Sequence, residues 1–285
     1  MFHVEPSNQA IRMACPKDHL VTKKNFEVWL DPDTQIAQTK PRPDEEHLSS
    51  YYVSEEYISH TDTRKTLVEK TYALVQRIMF FKKSKWIRTF LSAEKAYLDF
   101  GCGTGAFVGY LQEIGWKAFG VEPNEKARKV YNNPNIVDSL DKIAEDSFDC
   151  IALWHVLEHL PQPKSTLQKL IPLLTEKGKL FLAVPNYKSW DAKHYKDHWA
   201  AYDVPRHLWH FSYQGLGALA QELNLKVVLK KGLFFDALYV SYLSEKHKNK
   251  SLPLIRGVIK GFYSNFKAYF SEEYSSILVV LEKES

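Results

Sequence analysis

A chain of 285 residues, 45% apolar and 25% charged, is long enough to bury one full α/β core and still carry a small appendage. Its net charge of +4 is too small to argue for nucleic acid, and no uninterrupted apolar run is long enough to span a bilayer, so neither nucleic acid nor a membrane is expected as a partner. The three cysteines, Cys15, Cys102 and Cys150, make no disulfide framework, and the start MFHVEPSNQ lacks the basic and apolar runs of a secretory signal, so a cytoplasmic protein is expected.

Residues 1–52 are polar and proline-bearing, with a strand-like Phe26–Leu30 and turn chemistry at Asp31-Pro32-Asp33 and Pro41-Arg42-Pro43. Tyr51–Thr63 (YYVSEEYISHTDT) is an aromatic cluster. From Asp62 a long amphipathic helix is predicted, with Leu67, Thr71, Leu74, Ile78 and Phe81 on one stripe. The cationic runs Lys82, Lys83, Lys85 and Lys246, Lys248, Lys250 read as solvated faces.

The chain is organised around Leu98–Phe107, LDFGCGTGAF. Ala96–Phe100 has strand composition, Gly101, Gly103 and Gly105 fall where the backbone must turn, and Phe107, Tyr110, Leu111 and Ile114 form the stripe of a helix packed on a sheet. Such a unit places a ligand at the helix amino end. Gly101, Gly103 and Ala106 also satisfy the loose dinucleotide pattern, but a pyrophosphate would be repelled by the carboxylate of Asp99. A ligand carrying an ammonium and a sulfonium would be attracted, and S-adenosylmethionine has both and no phosphate. Lys117–Val121 reads as the next strand, ending at Glu122, whose carboxylate can accept both ribose hydroxyls.

Asn124 begins a helix predicted to run through Tyr131, and Ile136 and Val137 make a third strand before Asp138, Ser139 and Leu140. Phe148–Trp154 (FDCIALW) is nearly continuous apolar, as in a parallel strand buried on both faces, and it runs directly into His155, Glu158 and His159. A helix after Pro163 places Leu167, Leu170, Ile171 and Leu174 on one face, and Gly178–Val184 is the fifth strand. The connection 185–212 is too rich in aromatics for disorder and is expected to act as a lid supplying substrate contacts. Within it the run Asp203–His210 (DVPRHLWH) holds Arg206, which can clamp a carboxylate or phosphate or else close an internal salt bridge. Tyr213–Leu223 reads as helical, Leu225–Leu229 as a strand, Leu254–Phe270 as a basic amphipathic helix and Tyr274–Leu281 as the last strand.

With DFGCGTG at Asp99–Gly105, Glu122 closing the next strand and WHVLEH at Trp154–His159, residues 51 to 283 resemble the class I S-adenosylmethionine-dependent methyltransferases. The resemblance implies an α/β fold over residues 53–285: a Rossmann-like seven-stranded sheet with helices on both faces, its last strand inserted antiparallel between its two predecessors. It implies cofactor contacts from Asp99, Gly101, Gly103, Gly105, Glu122 and Trp154, with Asp138 and Leu140 at the adenine. It also implies that Tyr51–Thr63 folds over the cofactor, the other reading being a surface connection anchored by tyrosines. Residues 1–52 resemble the zinc ribbon that precedes this domain in some relatives, but His3–Pro6 and Asp31–Thr34 stand where the Cys-x-x-Cys knuckles would fall, so a metal-free ribbon-like extension is expected. His155, Glu158 and His159 resemble the Glu-x-x-Glu-His motif of ubiquinone-type O-methyltransferases, which is associated with a divalent metal; histidine stands at the first position here, and no metal is expected.

If the acceptor is a hydroxyl or amine, a group must take its proton as the methyl moves. The candidates are His155, His159, His207 and His210, with Asp203 as a possible orienter, and His155 and His159 have a competing role as structural caps at the strand end or helix start. The expected activity is transfer of a methyl group from S-adenosylmethionine to a small-molecule acceptor, with O-methylation favoured. The alternatives are N- or C-methylation, including sugar-nucleotide substrates, methylation of RNA or protein, and a non-catalytic binding module that keeps the fold.

Overall fold

A computed structural model describes residues 10–44, 51, 67–91 and 96–284, with the side chains of 67–75 outside the description. Most of Tyr51–Thr63 and the Asp62 helix start, like His3–Pro6, lie outside the described residues. In chain order the elements are β1 (Ile11–Ala14), β2 (Glu27–Leu30), β3 (Ala37–Lys40), α1 (Leu67–Arg88), β4 (Ala96–Phe100), α2 (Ala106–Glu113), β5 (Lys117–Val121) and α3 (Glu125–Arg128). They continue through β6 (Ile136–Val137), β7 (Phe148–Trp154), α4 (Pro163–Leu170), β8 (Leu174–Pro185), α5 (Trp190–Tyr195), β9 (Trp209–His210) and α6 (Tyr213–Glu222), and end with β10 (Leu225–Gly232), α7 (Asp236–His247), α8 (Pro253–Ser271) and β11 (Ser276–Lys283). The seven-stranded sheet has the order β10-β11-β8-β7-β4-β5-β6, and β1-β2-β3-β9 form a second sheet. The last strand stands between β10 and β8 and runs antiparallel to β10, as the resemblance implies.

Two compact units divide the chain. One holds Glu55–Trp154 and Leu167–Phe181. There β4 pairs in parallel with β5 and β7, and each strand is buried for the reason its composition suggests: Tyr97, Leu98, Phe148, Ile151 and Leu153 have no exposed surface, since helices cover parallel strands on both faces. Three expectations change in detail. Helix α3 ends at Arg128, well before Tyr131, capped at its start by the Asn124 side chain, which accepts from the amides of Lys126 and Ala127. Helix α4 stops at Leu170, and Leu174 opens β8. Of the stripe on α1 the described side chains are Ile78 and Phe81, which are 41% and 60% exposed, while Ser84 and Ile87 are buried.

The other unit holds Met1–Ser54, His155–Thr166 and Leu182–Glu284. Its three amino-terminal strands form an antiparallel sheet whose fourth strand, β9, comes from within the 185–212 connection, pairing Ala37 with His210 and Gln38 with Trp209. That connection, expected to act as a lid, packs into the core of its unit. Tyr195, Trp199, Tyr202 and Val204 are all at least 96% buried and cluster with Phe26, Val28 and Ala37. Asp191 anchors the cluster: its carboxylate accepts from Trp199 Nε1 (2.8 Å), Ser264 Oγ (2.7 Å) and Ser275 Oγ (2.7 Å), so the acid is buried with partners.

Candidate functional site

The loop after β4 is held open by its backbone. Gly101, Gly103 and Gly105 take φ of 78°, 57° and 78°, the left-handed region that side chains disfavour. Gly105 has a second constraint, because a Cβ there would lie 1.9 Å from Ile136 Cδ1, whereas a Cβ on Gly103 would meet nothing within 4 Å. Gly105 is thus held chiefly by its φ, with the flexible end of Ile136 as a second constraint, and Gly103 faces space a ligand can fill. We expect Gly105→Ala to destabilise the fold by about 1–3 kcal/mol, read as a shift of the denaturation midpoint, through strain and overpacking together.

Asp99, Gly101, Gly103 and Trp154 line one hollow of about 220 Å³, with Gln76, Phe80, Lys83, Thr104 and Phe107. Asp99 is 4% exposed, and burial, eased by the charge of Lys83 and worsened by that of Glu122, pushes its carboxyl up to about 7. Trp154 is fixed by its Nε1 donating to the Tyr97 hydroxyl at 3.0 Å and stands edge-on to Phe107, with ring centroids 6.4 Å apart. The ammonium of Lys83 lies 4.3 Å from the Trp154 ring centroid and 5.4 Å from that of Phe107. Lys83 is therefore no solvated face, as its charge run suggested, but a cation resting on aromatic walls. Nothing in the helical periodicity marked it.

Glu122 is tied to the same loop. Its Oε2 accepts from Gly103 N (2.9 Å) and its Oε1 from Asn124 N (2.9 Å), so both oxygens are oriented, and each keeps a lone pair for a further donor such as a ribose hydroxyl. Asp138 and Leu140 do not line the hollow. Asp138 pairs through Oδ2 with Lys142 at 2.8 Å, while its buried Oδ1 has no hydrogen-bond partner.

The histidines stand in the other unit and differ sharply. His155, the next residue after Trp154, takes a φ of +56°, the left-handed region that favours glycine. Its Nε2 lies 3.1 Å from Asp236 and its Nδ1 3.6 Å from Glu158; packing opposes its charge, but these two acids outweigh packing and raise it to about 10, so it is a cation at neutral pH. A protonated imidazole does not take a proton, which speaks against the expected base role of His155. His210 is 4% exposed, shares a 2.9 Å hydrogen bond with Thr39 Oγ1, and is pushed down to about 3, chiefly by burial. It is a packed neutral ring that ties β9 to β3. His207 alone of the three holds Nδ1 against a backbone carbonyl, that of Ala201 at 2.9 Å, which in the Nδ1–H tautomer presents Nε2 as an acceptor.

Glu158, His159 and His207 also converge, with one ligand atom from each lying within 4.8 Å of the others. Glu158 is 1% exposed and neither carboxylate oxygen has a hydrogen-bond partner, the 3.6 Å approach of His155 being an ion contact too long for one. His159 Nδ1 lies 3.2 Å from the Arg206 carbonyl, the same arrangement as His207. Two imidazoles steadied by carbonyls and an orphaned buried carboxylate make a donor set that suits a divalent cation. The sequence reading saw Glu158 and His159 but not that His207 would join them.

Arg206 is 1% exposed. Its guanidinium donates to Asp203 (2.6–3.1 Å) and to Asp18 (3.3 Å), so the internal salt bridge, not a substrate clamp, is its role.

A family model described as "Methyltransferase domain" matches residues 72–230, more than half of the chain. The chain belongs to this methyltransferase family, and with its sheet order that makes it a class I S-adenosylmethionine-dependent methyltransferase. Among individual relatives, it is 28% identical over 171 residues to a ubiquinone biosynthesis O-methyltransferase of Idiomarina loihiensis, covering 53% of this chain and 70% of that one. It is 30% identical over 115 residues to the protein of the same name from Thiobacillus denitrificans, covering 36% of this chain and 50% of the relative. Among solved structures, magnesium protoporphyrin IX methyltransferase from Synechocystis, with bound SAH, superposes with a TM-score of 0.52 at 13% identity, over 85% of this chain and 100% of that one. That likeness speaks to the fold. No helix among the described residues is long and apolar enough to cross a membrane.

Proposed function

We propose that the protein transfers the methyl group of S-adenosylmethionine to an oxygen of a small-molecule acceptor, with His207 as the base that takes the acceptor's proton. The observation that carries the cofactor half is the aromatic hollow beside Asp99, where an ammonium, that of Lys83, already rests on Trp154. A buried carboxylate with aromatic walls favours a cation over a pyrophosphate, and a sulfonium and an ammonium fit that chemistry. In this reading Asp99 holds the ammonium, Glu122 the ribose, and the glycine loop the chain between them, with Asp138 and Leu140 toward the adenine. Residues 53–285 act as the methyltransferase domain, 1–52 as its extension, and 185–212 supplies acceptor contacts. The names of the relatives support oxygen as the atom methylated. Three free thiols support a reducing, cytoplasmic setting.

As the sulfonium loses its charge the acceptor oxygen gains the methyl, and Nε2 of His207 receives the proton the oxygen gives up. A second reading is favoured by the orphaned oxygens of Glu158. A divalent cation held by Glu158, His159 and His207 would polarise an acceptor hydroxyl; His207 then serves as ligand, not base. The first test is release of S-adenosylhomocysteine during a screen of small acceptors, with mass identification of the product. His207→Ala is expected to leave cofactor affinity intact and to slow turnover by about 10²–10⁴-fold, the usual worth of a general base. Unchanged turnover would place the base elsewhere. Full activity after exhaustive chelation supports His207 as base, whereas loss restored by added divalent metal supports the second reading.

A further inference from the structure

Helix α8 is amphipathic in the reverse of the usual sense. Its buried side carries Gly257, Gly261, Ser264, Asn265 and Ala268. A Cβ on Gly257 would lie 2.3 Å from the Cα of Tyr242, and one on Gly261 2.7 Å from the carbonyl oxygen of Ala237, so α8 meets α7 backbone to backbone through small residues. The apolar residues are left outside. Ile255, Ile259, Phe262, Phe266 and Phe270 follow at i, i+4, i+7, i+11 and i+15, one continuous stripe, and are 55, 62, 52, 59 and 71% exposed. Arg256, Lys260 and Lys267 run along its flank. From Lys246 to Ser271 the sequence holds six lysines and arginines and no acid.

We propose that α8 seats the protein on the surface of an anionic lipid bilayer, with the aromatic stripe in the headgroup boundary and the cations among the phosphates. This goes beyond the methyl-transfer reading and does not depend on it. Charge selects the occupant: α8 carries no acid, and of its three cations only Arg256 is paired among the described residues, with Glu245, so Lys260 and Lys267 of one copy would face those of another, whereas anionic headgroups attract them. Shape agrees, since the stripe from Ile255 to Phe270 is about 22 Å long at 1.5 Å per residue and lies along one face, the form of a helix that rests in the interface plane without crossing it. No spanning segment is read from the chain, so no membrane partner is expected from composition alone, but contact with a surface needs none.

The test is co-sedimentation of the full chain with vesicles of phosphatidylcholine alone or of phosphatidylcholine mixed with phosphatidylglycerol. The protein is expected to pellet with the mixed vesicles only, and to be released as salt is raised. Phe262→Ser/Phe266→Ser/Phe270→Ser and, separately, Lys260→Gln/Lys267→Gln should each weaken partition by about tenfold or more, with cofactor affinity unchanged. The proposal is overturned by no pelleting with mixed vesicles, by equal pelleting with neutral ones, or by variants that bind like the parent. It is also overturned if light scattering finds a dimer that the phenylalanine variant converts to monomer, for then a second copy covers the stripe.

Discussion

Asp99→Ala abolishes S-adenosylmethionine binding in isothermal titration, with a loss of affinity of about a hundredfold or more. Removing one partner of a buried charge pair costs about 2–5 kcal/mol, because the other charge stays buried without compensation. The isosteric Asp99→Asn separates charge from packing and is expected to bind as poorly as alanine. The carboxyl adds a pH signature. Burial raises it from 3.8 to about 7 in the folded protein, so below about 7 a proton must leave before a cation is held. Affinity should therefore fall about tenfold from pH 8 to pH 6, with proton release on binding, and the slope should vanish in Asp99→Asn. The stability linkage has its own sign. The folded state holds the proton more tightly than the unfolded chain, so the stability this carboxyl lends is complete below about pH 4 and is lost as pH rises through about 7. Asp99→Asn should thus be no less stable than the parent at neutral pH, which distinguishes lost binding from lost fold. Affinity equal to that of the parent in either variant would remove the basis of the cofactor assignment.

Arg206→Met lowers the melting temperature by about 10 °C. Asp18 has no exposed surface and Arg206 is 1% exposed, so removing the guanidinium leaves a buried carboxylate with only its local donors, the amides of Leu20, Val21 and Thr22 and the Thr22 hydroxyl. Breaking a buried ion pair from one side costs about 3–5 kcal/mol, and in a chain of this size each kcal/mol moves the midpoint by about 2–4 °C. The double change Arg206→Met/Asp18→Asn should recover part of the loss, a coupling read as non-additivity of the two melting shifts. Strict additivity would show that the two groups act independently. The same variant tests what the salt bridge holds, since it joins the turn after β1 to the segment carrying His207.

The elements that the chain announced were those whose pattern is local. Strands β4, β5, β6 and β7 begin and end where the apolar runs do, and the glycines of the loop take the positive φ that their spacing implied, because a buried parallel strand and a tight turn are each decided within a few residues. Helix α1 shows the limit. Ile78 and Phe81 of its apolar stripe stand exposed, and Lys83, taken for a solvated residue, is the cation over Trp154, because the buried face of a helix depends on what the rest of the chain brings to it.

The amino-acid sequence by itself determined the methyltransferase sheet, the acid-flanked glycine loop and the preference for a cation over a phosphate, since all three follow from neighbours in the chain and the sign of their charge. Tertiary structure decided what surrounds each histidine. His155 is held as a cation by Asp236, His210 is spent on Thr39, and His207 is drawn to Glu158 and His159 from some fifty residues away. Protonation and tautomer are set by burial and by partners remote in the chain, so no reading of spacing reaches them.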